Sequence, residues 1–184
     1  MKKDVIILMG GQGVGKGTFA QMLRNSHEYN YIETGALFRA LPADSDIAKL
    51  IAAGILVPDE RLFELVASKL SDTDDSLIDG FPRTLAQAQW FIENYANKYN
   101  VHIVHLNVPE EIMLARIQKR LNEGGGRADD TDAAAVRRRL DTFWNKTMPA
   151  IEWMKVCSNI NFADIDVTST VDENFARIQE ALKK

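Results

Sequence analysis

The stretch DVIILMGGQGVGKGT, at residues 4–18 of the 184-residue chain, decides the fold. Its first six residues are mostly branched and apolar, which is typical of a strand buried on both faces of a parallel sheet. Glycines follow at once, and a helical pattern begins near Lys16. A glycine-rich loop between a strand and a helix predicts a P-loop, because its bare backbone N–H groups can approach phosphate oxygens closely.

The charges of this loop fit a phosphate ligand. Lys16 adds a full positive charge to the partial one at the helix N-terminus, and Thr18 provides a hydroxyl, one place later than usual because Gly17 intervenes. The alternative is a glycine-rich turn with an exposed lysine, which the position between strand and helix argues against. We therefore expect the phosphates of a nucleoside triphosphate on Gly13, Val14, Gly15, Lys16, Gly17 and Thr18.

Short apolar runs alternate with helical patterns along the rest of the chain. After the first strand, further strands are predicted at residues 31–32, 76–79, 101–108 and 160–165. Helices are predicted at residues 16–25, 47–53, 62–70, 84–97, 110–121, 132–154 and 171–182, and Pro149 should bend or restart the longest of them. The alternation predicts one α/β domain over residues 1–184, a three-layer P-loop fold with a parallel sheet and helices on both faces.

The composition limits the kinds of partner and the compartment to be expected. A net charge of −4 gives no general attraction to nucleic acid or to a membrane surface. No apolar run reaches the length of a bilayer span. The single cysteine, Cys157, supports neither an internal disulfide framework nor a cysteine-based zinc site, and it fits a reducing compartment. We expect a cytoplasmic protein with neither nucleic-acid nor membrane partners.

Three further motifs follow the P-loop in a fixed order: TGALFR at residues 34–39, DGFPR at 79–83 and GGGRADD at 124–130. With the P-loop, this set resembles the adenylate kinases of the nucleoside monophosphate kinase family, and the resemblance continues to Pro149. It implies reversible phosphoryl transfer from Mg-ATP to AMP, giving two ADP. Mg²⁺ would be the cofactor, ATP and AMP the small-molecule partners, and the protein a monomer.

The acceptor site is expected at the carboxyl edge of the sheet. Asp79 ends an apolar run there and suits Mg²⁺ held through water, although a turn aspartate is the alternative. The planar fork of Arg83 matches a phosphate. The resemblance implies that Arg39 and Arg83 hold the acceptor phosphate and that Thr34 and Gln87 read the adenine. The implied AMP-binding set is Thr34, Arg39, Ile55, Leu56, Val57, Gly80, Phe81, Pro82, Arg83, Gln87, Arg127 and Arg139.

Arginines are dense between residues 116 and 139. The resemblance implies a short lid over residues 120–131, whose lack of cysteines excludes the zinc-bearing type. Arg120, which also binds ATP, and Arg127 would be carried in by this lid. The implied catalytic set is Lys16, Arg83, Arg120, Arg127 and Arg139. One extra residue between Asp130 and Leu140 leaves Arg138 as an alternative to Arg139, which we favour because the pattern continues unbroken after it.

Several alternatives stay open. For Arg116 and Arg137 a solvated helix face is as well supported as a function. The monophosphate-binding arm, residues 34–57, is shorter than the family's, so a UMP/CMP kinase or a broad nucleoside monophosphate kinase competes with the AMP-specific reading. A nucleotide-binding regulatory protein without turnover is the alternative of another class. His102 and His105 are expected on opposite faces of one strand, as packing or surface residues.

Overall fold

The computed structural model describes residues 2–53, 55, 57–124 and 132–183, with only the backbone of residues 39, 51 and 52. Within these ranges the chain forms five strands and nine α-helices. The strands are β1 (Asp4–Met9), β2 (Asn30–Glu33), β3 (Ser76–Asp79), β4 (Asn100–Asn107) and β5 (Asn161–Asp166). The helices are α1 (Lys16–Ser26), α2 (Thr34–Arg39), α3 (Asp46–Ala52), α4 (Asp59–Lys69), α5 (Leu85–Tyr95), α6 (Glu110–Asn122), α7 (Ala133–Thr142), α8 (Met148–Lys155) and α9 (Val171–Leu182).

The strands form one parallel sheet in the order β2-β3-β1-β4-β5. The first strand is central, and the register places Leu8 beside Asp79 and Asp79 beside Glu33. Because all strands are parallel, their carboxyl ends meet at one edge, where open α/β sheets bind ligands. The predicted α/β fold with a parallel sheet is confirmed.

Burial of the central strand explains why its sequence is an unbroken apolar run. Every residue from Val5 to Met9 is at most 3% exposed, so side chains on both faces of β1 are covered. Burying one such aliphatic side chain contributes about 1.5–3 kcal/mol. The edge strand β5 instead has only partly buried and exposed residues. The sheet is thus anchored at its centre, directly beneath the P-loop.

The structure divides the helix predicted over residues 132–154 into three segments. A single π-helical turn, Phe143–Thr147, separates α7 from α8. The cause is Pro149, which lacks an N–H and whose ring would clash with the carbonyl four residues earlier in an α-helix. The chain widens by one turn of π-helix, in which the Met148 N–H donates to the Phe143 carbonyl. The predicted interruption at Pro149 is confirmed.

No helix in the described ranges is both long enough and apolar enough to cross a membrane.

Candidate functional site

A cavity of about 400 Å³ opens at the carboxyl edge of the sheet. It lies where β1, β2 and β3 end, and α6, α7 and the π-turn contribute the opposite wall. The residues predicted to act that line it are Gly13, Gly15, Lys16, Gly17, Thr18, Asp79, Gly80, Phe81, Pro82, Arg83, Arg120 and Arg139. The structure thus joins the P-loop, the end of β3 and three of the expected arginines around one space.

Two glycines give the P-loop its shape. Gly13 has φ +86°, and a Cβ there would lie 2.5 Å from the Met113 carbonyl oxygen, so a side chain would not fit. Gly15 has φ +102° and immediately precedes α1. Val14 between them is fully buried and anchors the loop to the core. The backbone of the loop is therefore held at the cavity wall while the helix N-terminus contributes partial positive charge.

Lys16 lies at the junction of the loop and the helix. Its ammonium donates hydrogen bonds to the carbonyl oxygens of Gly10, at 2.7 Å, and Gly11, at 3.1 Å. These bonds keep the charge at the cavity wall, which Lys16 also lines. A cation at this position adds to the field of the helix N-terminus, so the site favours a multiply charged anion.

Asp79 ends β3 and is 5% exposed, with the cavity before it. Thr18 lines the same space, so the donor set is a carboxylate and a hydroxyl, both hard oxygen ligands of the kind Mg²⁺ prefers. The described residues contain no group of three or more metal-ligating side chains. Mg²⁺ nevertheless fits, because it usually keeps several waters and takes further oxygens from substrate phosphates.

Hydrogen bonds hold Arg83 at its main chain and at its Nε. Its N–H donates to Gln87 Oε1 at 2.6 Å, its carbonyl accepts from Thr147 Oγ1 at 2.9 Å, and its Nε donates to the Gly80 carbonyl at 2.7 Å. A side chain at Gly80 would place a Cβ 2.8 Å from Thr34 Oγ1. The turn after β3 is therefore packed closely enough to aim one guanidinium along the cavity wall.

The residues expected to read the adenine do not line this cavity. Thr34 and Gln87 are buried, the hydroxyl of Thr34 facing the Asp79 carbonyl at 3.5 Å and Gln87 Nε2 donating to Asp59 at 2.6 Å. Ile55 is 52% exposed and Val57 is buried. Leu56 and the side chain of Arg39 lie outside the described parts of the chain.

The two candidate arginines on α7, Arg138 and Arg139, point to different places. Arg139 lines the cavity, whereas Arg138 donates from Nε to the Ala53 carbonyl at 3.0 Å and pairs with Asp132 at 3.5 Å. Arg120 also lines the cavity, and Arg127 falls outside the described residues.

Arg116 and Arg137, for which the sequence supported a function and a solvated helix face equally, also have different surroundings. Arg116 lines the cavity and donates to the carbonyls of Val14, at 3.2 Å, and Val167, at 2.7 Å. It therefore ties the P-loop to the segment after β5. Arg137 pairs with Glu110 and Asp141 at the surface, and these carboxylates, Asp141 foremost, raise its pKa. The solvated alternative describes Arg137 but not Arg116.

Sequence reasoning missed several residues of the cavity wall. They are Glu33, Gly35, Thr142, Phe143 and Thr147. Glu33 and Gly35 flank Thr34, so the motif at residues 34–39 could have indicated them. For Thr147 the only local signal is its position two residues before Pro149. Its neighbour in space, Arg83, lies 64 residues away.

The comparisons with known proteins agree on one family. The model of the family "Adenylate kinase" matches residues 8–159. The adenylate kinase of Bacteroides thetaiotaomicron is 33% identical over 189 residues, covering 97% of this chain and 98% of the relative. That of Thermus thermophilus is 33% identical over 186 residues, covering 97% of each. That of Parvibaculum lavamentivorans is 34% identical over 189 residues, covering 96% of this chain and 91% of the relative. This chain belongs to the adenylate kinase family.

Proposed function

We propose that this protein catalyses reversible phosphoryl transfer from Mg-ATP to AMP, giving two ADP. The observation that carries the proposal is the cavity at the sheet edge. It has a P-loop at one side, the guanidinium of Arg83 at another and two more arginines, Arg120 and Arg139, on the facing helices. One space with two phosphate-binding ends suits transfer between two nucleotides, and the named relatives are adenylate kinases.

The donor phosphates bind the P-loop in this proposal. The backbone N–H groups from Gly13 to Thr18 face the β- and γ-phosphates, and Lys16 exchanges its bonds to Gly10 and Gly11 for phosphate oxygens. Arg120 adds a second cation from the end of α6. A charged phosphate oxygen is a stronger partner for the ammonium than a neutral carbonyl is.

The acceptor phosphate binds Arg83, together with Arg39. Arg83 is suited to this because its backbone and Nε are already held. Thr34 and Gln87 read the adenine, with the segment 55–57 closing around the base. Both side chains are buried, so this step requires the arm, residues 34–57, to open and expose them. This shortened arm is part of the single kinase domain, residues 1–184.

Catalysis is mainly positioning and charge. The phosphoryl group in flight spreads charge over its oxygens, and Arg120, Arg127 and Arg139 stabilise that charge. No general base is needed, because the acceptor phosphate is already an anion at pH 7. Arg120 already lines the cavity from α6, at the start of the lid, residues 120–131. The lid brings Arg127 in and excludes water as a competing acceptor.

Asp79 and Thr18 would hold Mg²⁺, Asp79 through water. When bound, the ion neutralises charge on the transferring phosphates. We also propose that the protein acts as a monomer in the cytoplasm, without nucleic-acid or membrane partners. The net charge of −4 supports the last point.

The decisive experiment measures kcat/KM with ATP and each of AMP, CMP, UMP, GMP and dAMP, following ADP formation. We expect AMP to be the best acceptor. Discrimination by pocket fit is worth about 1–3 kcal/mol, and the shortened arm should keep it near the lower end and raise KM. A pyrimidine monophosphate that outperforms AMP would establish the UMP/CMP kinase alternative. Binding of both nucleotides without turnover would establish the regulatory alternative.

A further inference from the structure

We propose that Thr147 is a positioning residue for Arg83 and thereby for the acceptor phosphate. Thr147 is 7% exposed, and it lines the same cavity as Arg83. Its hydroxyl donates to the Arg83 carbonyl oxygen at 2.9 Å. The inference rests on the proposed function, in which Arg83 binds the phosphate of AMP.

The hydroxyl crosses between elements instead of bonding within its own helix. A threonine inside a helix commonly bonds the carbonyl one turn earlier, here that of Phe143. That carbonyl instead accepts the N–H of Met148 across the π-turn. The Thr147 hydroxyl donates to the Arg83 carbonyl from within this turn, which Pro149 accounts for.

The main chain of Arg83 is consequently held at both its N–H and its carbonyl. Gln87 accepts its N–H at 2.6 Å, and Thr147 donates to its carbonyl. Gln87 belongs to α5, the helix that directly follows the Arg83 turn, whereas Thr147 belongs to the π-turn that continues α7, the helix of Arg139. The bond from Thr147 therefore constrains the distance between the cation that binds the acceptor and the cation expected on the transferring group.

Loss of this bond should affect catalysis more than it affects folding. A displacement of about 1 Å in a positioning group can lower a rate by roughly a hundredfold, because the reacting oxygens leave their in-line geometry. Donor binding depends on the P-loop, whereas the hydroxyl of Thr147 bonds to Arg83, on the acceptor side of the proposed site. The expected signature is therefore confined to the acceptor.

The test compares Thr147→Val with Thr147→Ser. Valine keeps the size and branching and removes the donor, whereas serine keeps the donor and removes a methyl group. We expect T147V to lower kcat/KM for AMP by about tenfold or more, with KM for ATP at the wild-type value. T147S should recover most of the loss. In an Arg83→Lys background, T147V should have little further effect, because both changes act through one contact.

Two results would overturn the inference. One is equal kcat/KM for AMP in T147V and T147S. The other is a loss shared by the AMP and ATP parameters together with a lowered melting temperature, which indicates a general structural role. If T147V does not fold, Thr147→Ala replaces it under the same criteria. Absence of turnover in the wild type would reject the proposed function itself, whereas wild-type turnover that T147V leaves intact rejects only the role of Thr147.

Discussion

Arg138 donates a hydrogen bond from Nε to the main-chain carbonyl of Ala53, 3.0 Å away, and thereby ties α7 to the end of α3. Arg139, the next residue, lines the phosphate cavity instead. Successive residues on an α-helix point about 100° apart, so two adjacent arginines cannot share one direction. The two positions thus offer a matched pair for mutagenesis. The guanidinium of Arg139 lies at the proposed reaction site, and that of Arg138 is bonded to the acceptor arm.

We predict that Arg139→Ala lowers kcat/KM by on the order of a hundredfold or more, because it removes charge from the phosphoryl group in flight. Arg138→Ala should keep kcat near the wild-type value and at most raise KM for AMP, since Ala53 belongs to the arm. Steady-state kinetics of both variants decide the matter. The reverse pattern would assign the functional role to Arg138.

A second prediction concerns the cation of the P-loop. Lys16→Met should lower kcat/KM by on the order of a thousandfold, or several kcal/mol in the transition state, because a charge–phosphate contact disappears. Lys119→Met is the matched control, since Lys119 is exposed on α6 and pairs only weakly with Glu123 at 3.8 Å. Both proteins should show the wild-type circular dichroism spectrum. Near-normal turnover in the folded K16M protein would remove the P-loop from the mechanism.

Arg127, in the proposed lid, should act mainly in the transition state. Arg127→Ala is expected to lower kcat and kcat/KM together, the behaviour of a contact absent from the ground state. Alanine at Gly124, Gly125 and Gly126 should instead slow lid motion and affect AMP binding little. Pre-steady-state kinetics separate chemistry from opening. A rise in KM for one nucleotide alone in R127A would make Arg127 a ground-state binder.

Local pattern was sufficient for most of the fold. The bounds predicted for β1, β3 and α9 match the structure, because a fully buried strand leaves an unbroken apolar run and an amphipathic helix leaves a clear period. The P-loop followed from the same local evidence. Three of its glycines, Gly10, Gly13 and Gly15, occupy backbone conformations that other residues rarely adopt.

The relationships within the cavity wall could not be predicted in the same way. One extra residue before Leu140 made the identity of the cavity-facing arginine ambiguous, and only the direction of each side chain in space distinguishes Arg138 from Arg139. The bond from Thr147 to Arg83 spans 64 residues and depends on a π-turn. A single sequence holds no record of which distant residues share a wall, so such contacts need the folded chain.

His105 supplies a prediction about acid stability. It is 3% exposed on β4, and burial lowers its pKa below the ordinary value of 6.5, against the opposing effect of Asp164 at 3.2 Å. The unfolded chain therefore binds this proton more readily than the folded one does. The free energy of unfolding should be fully retained above pH 6.5 and should fall as the pH drops below it.

Urea unfolding of the wild type and of His105→Asn, from pH 7.5 to pH 5, measures this contribution. Asparagine does not titrate, so the difference in unfolding free energy between the two proteins should stay constant above about pH 6.5 and shrink below it. Carboxylates remote from residue 105 titrate alike in both proteins and cancel in the difference. A difference that stayed constant across the whole range would show that His105 takes up its proton equally in the folded and unfolded chains, and the acid sensitivity would then belong to other groups.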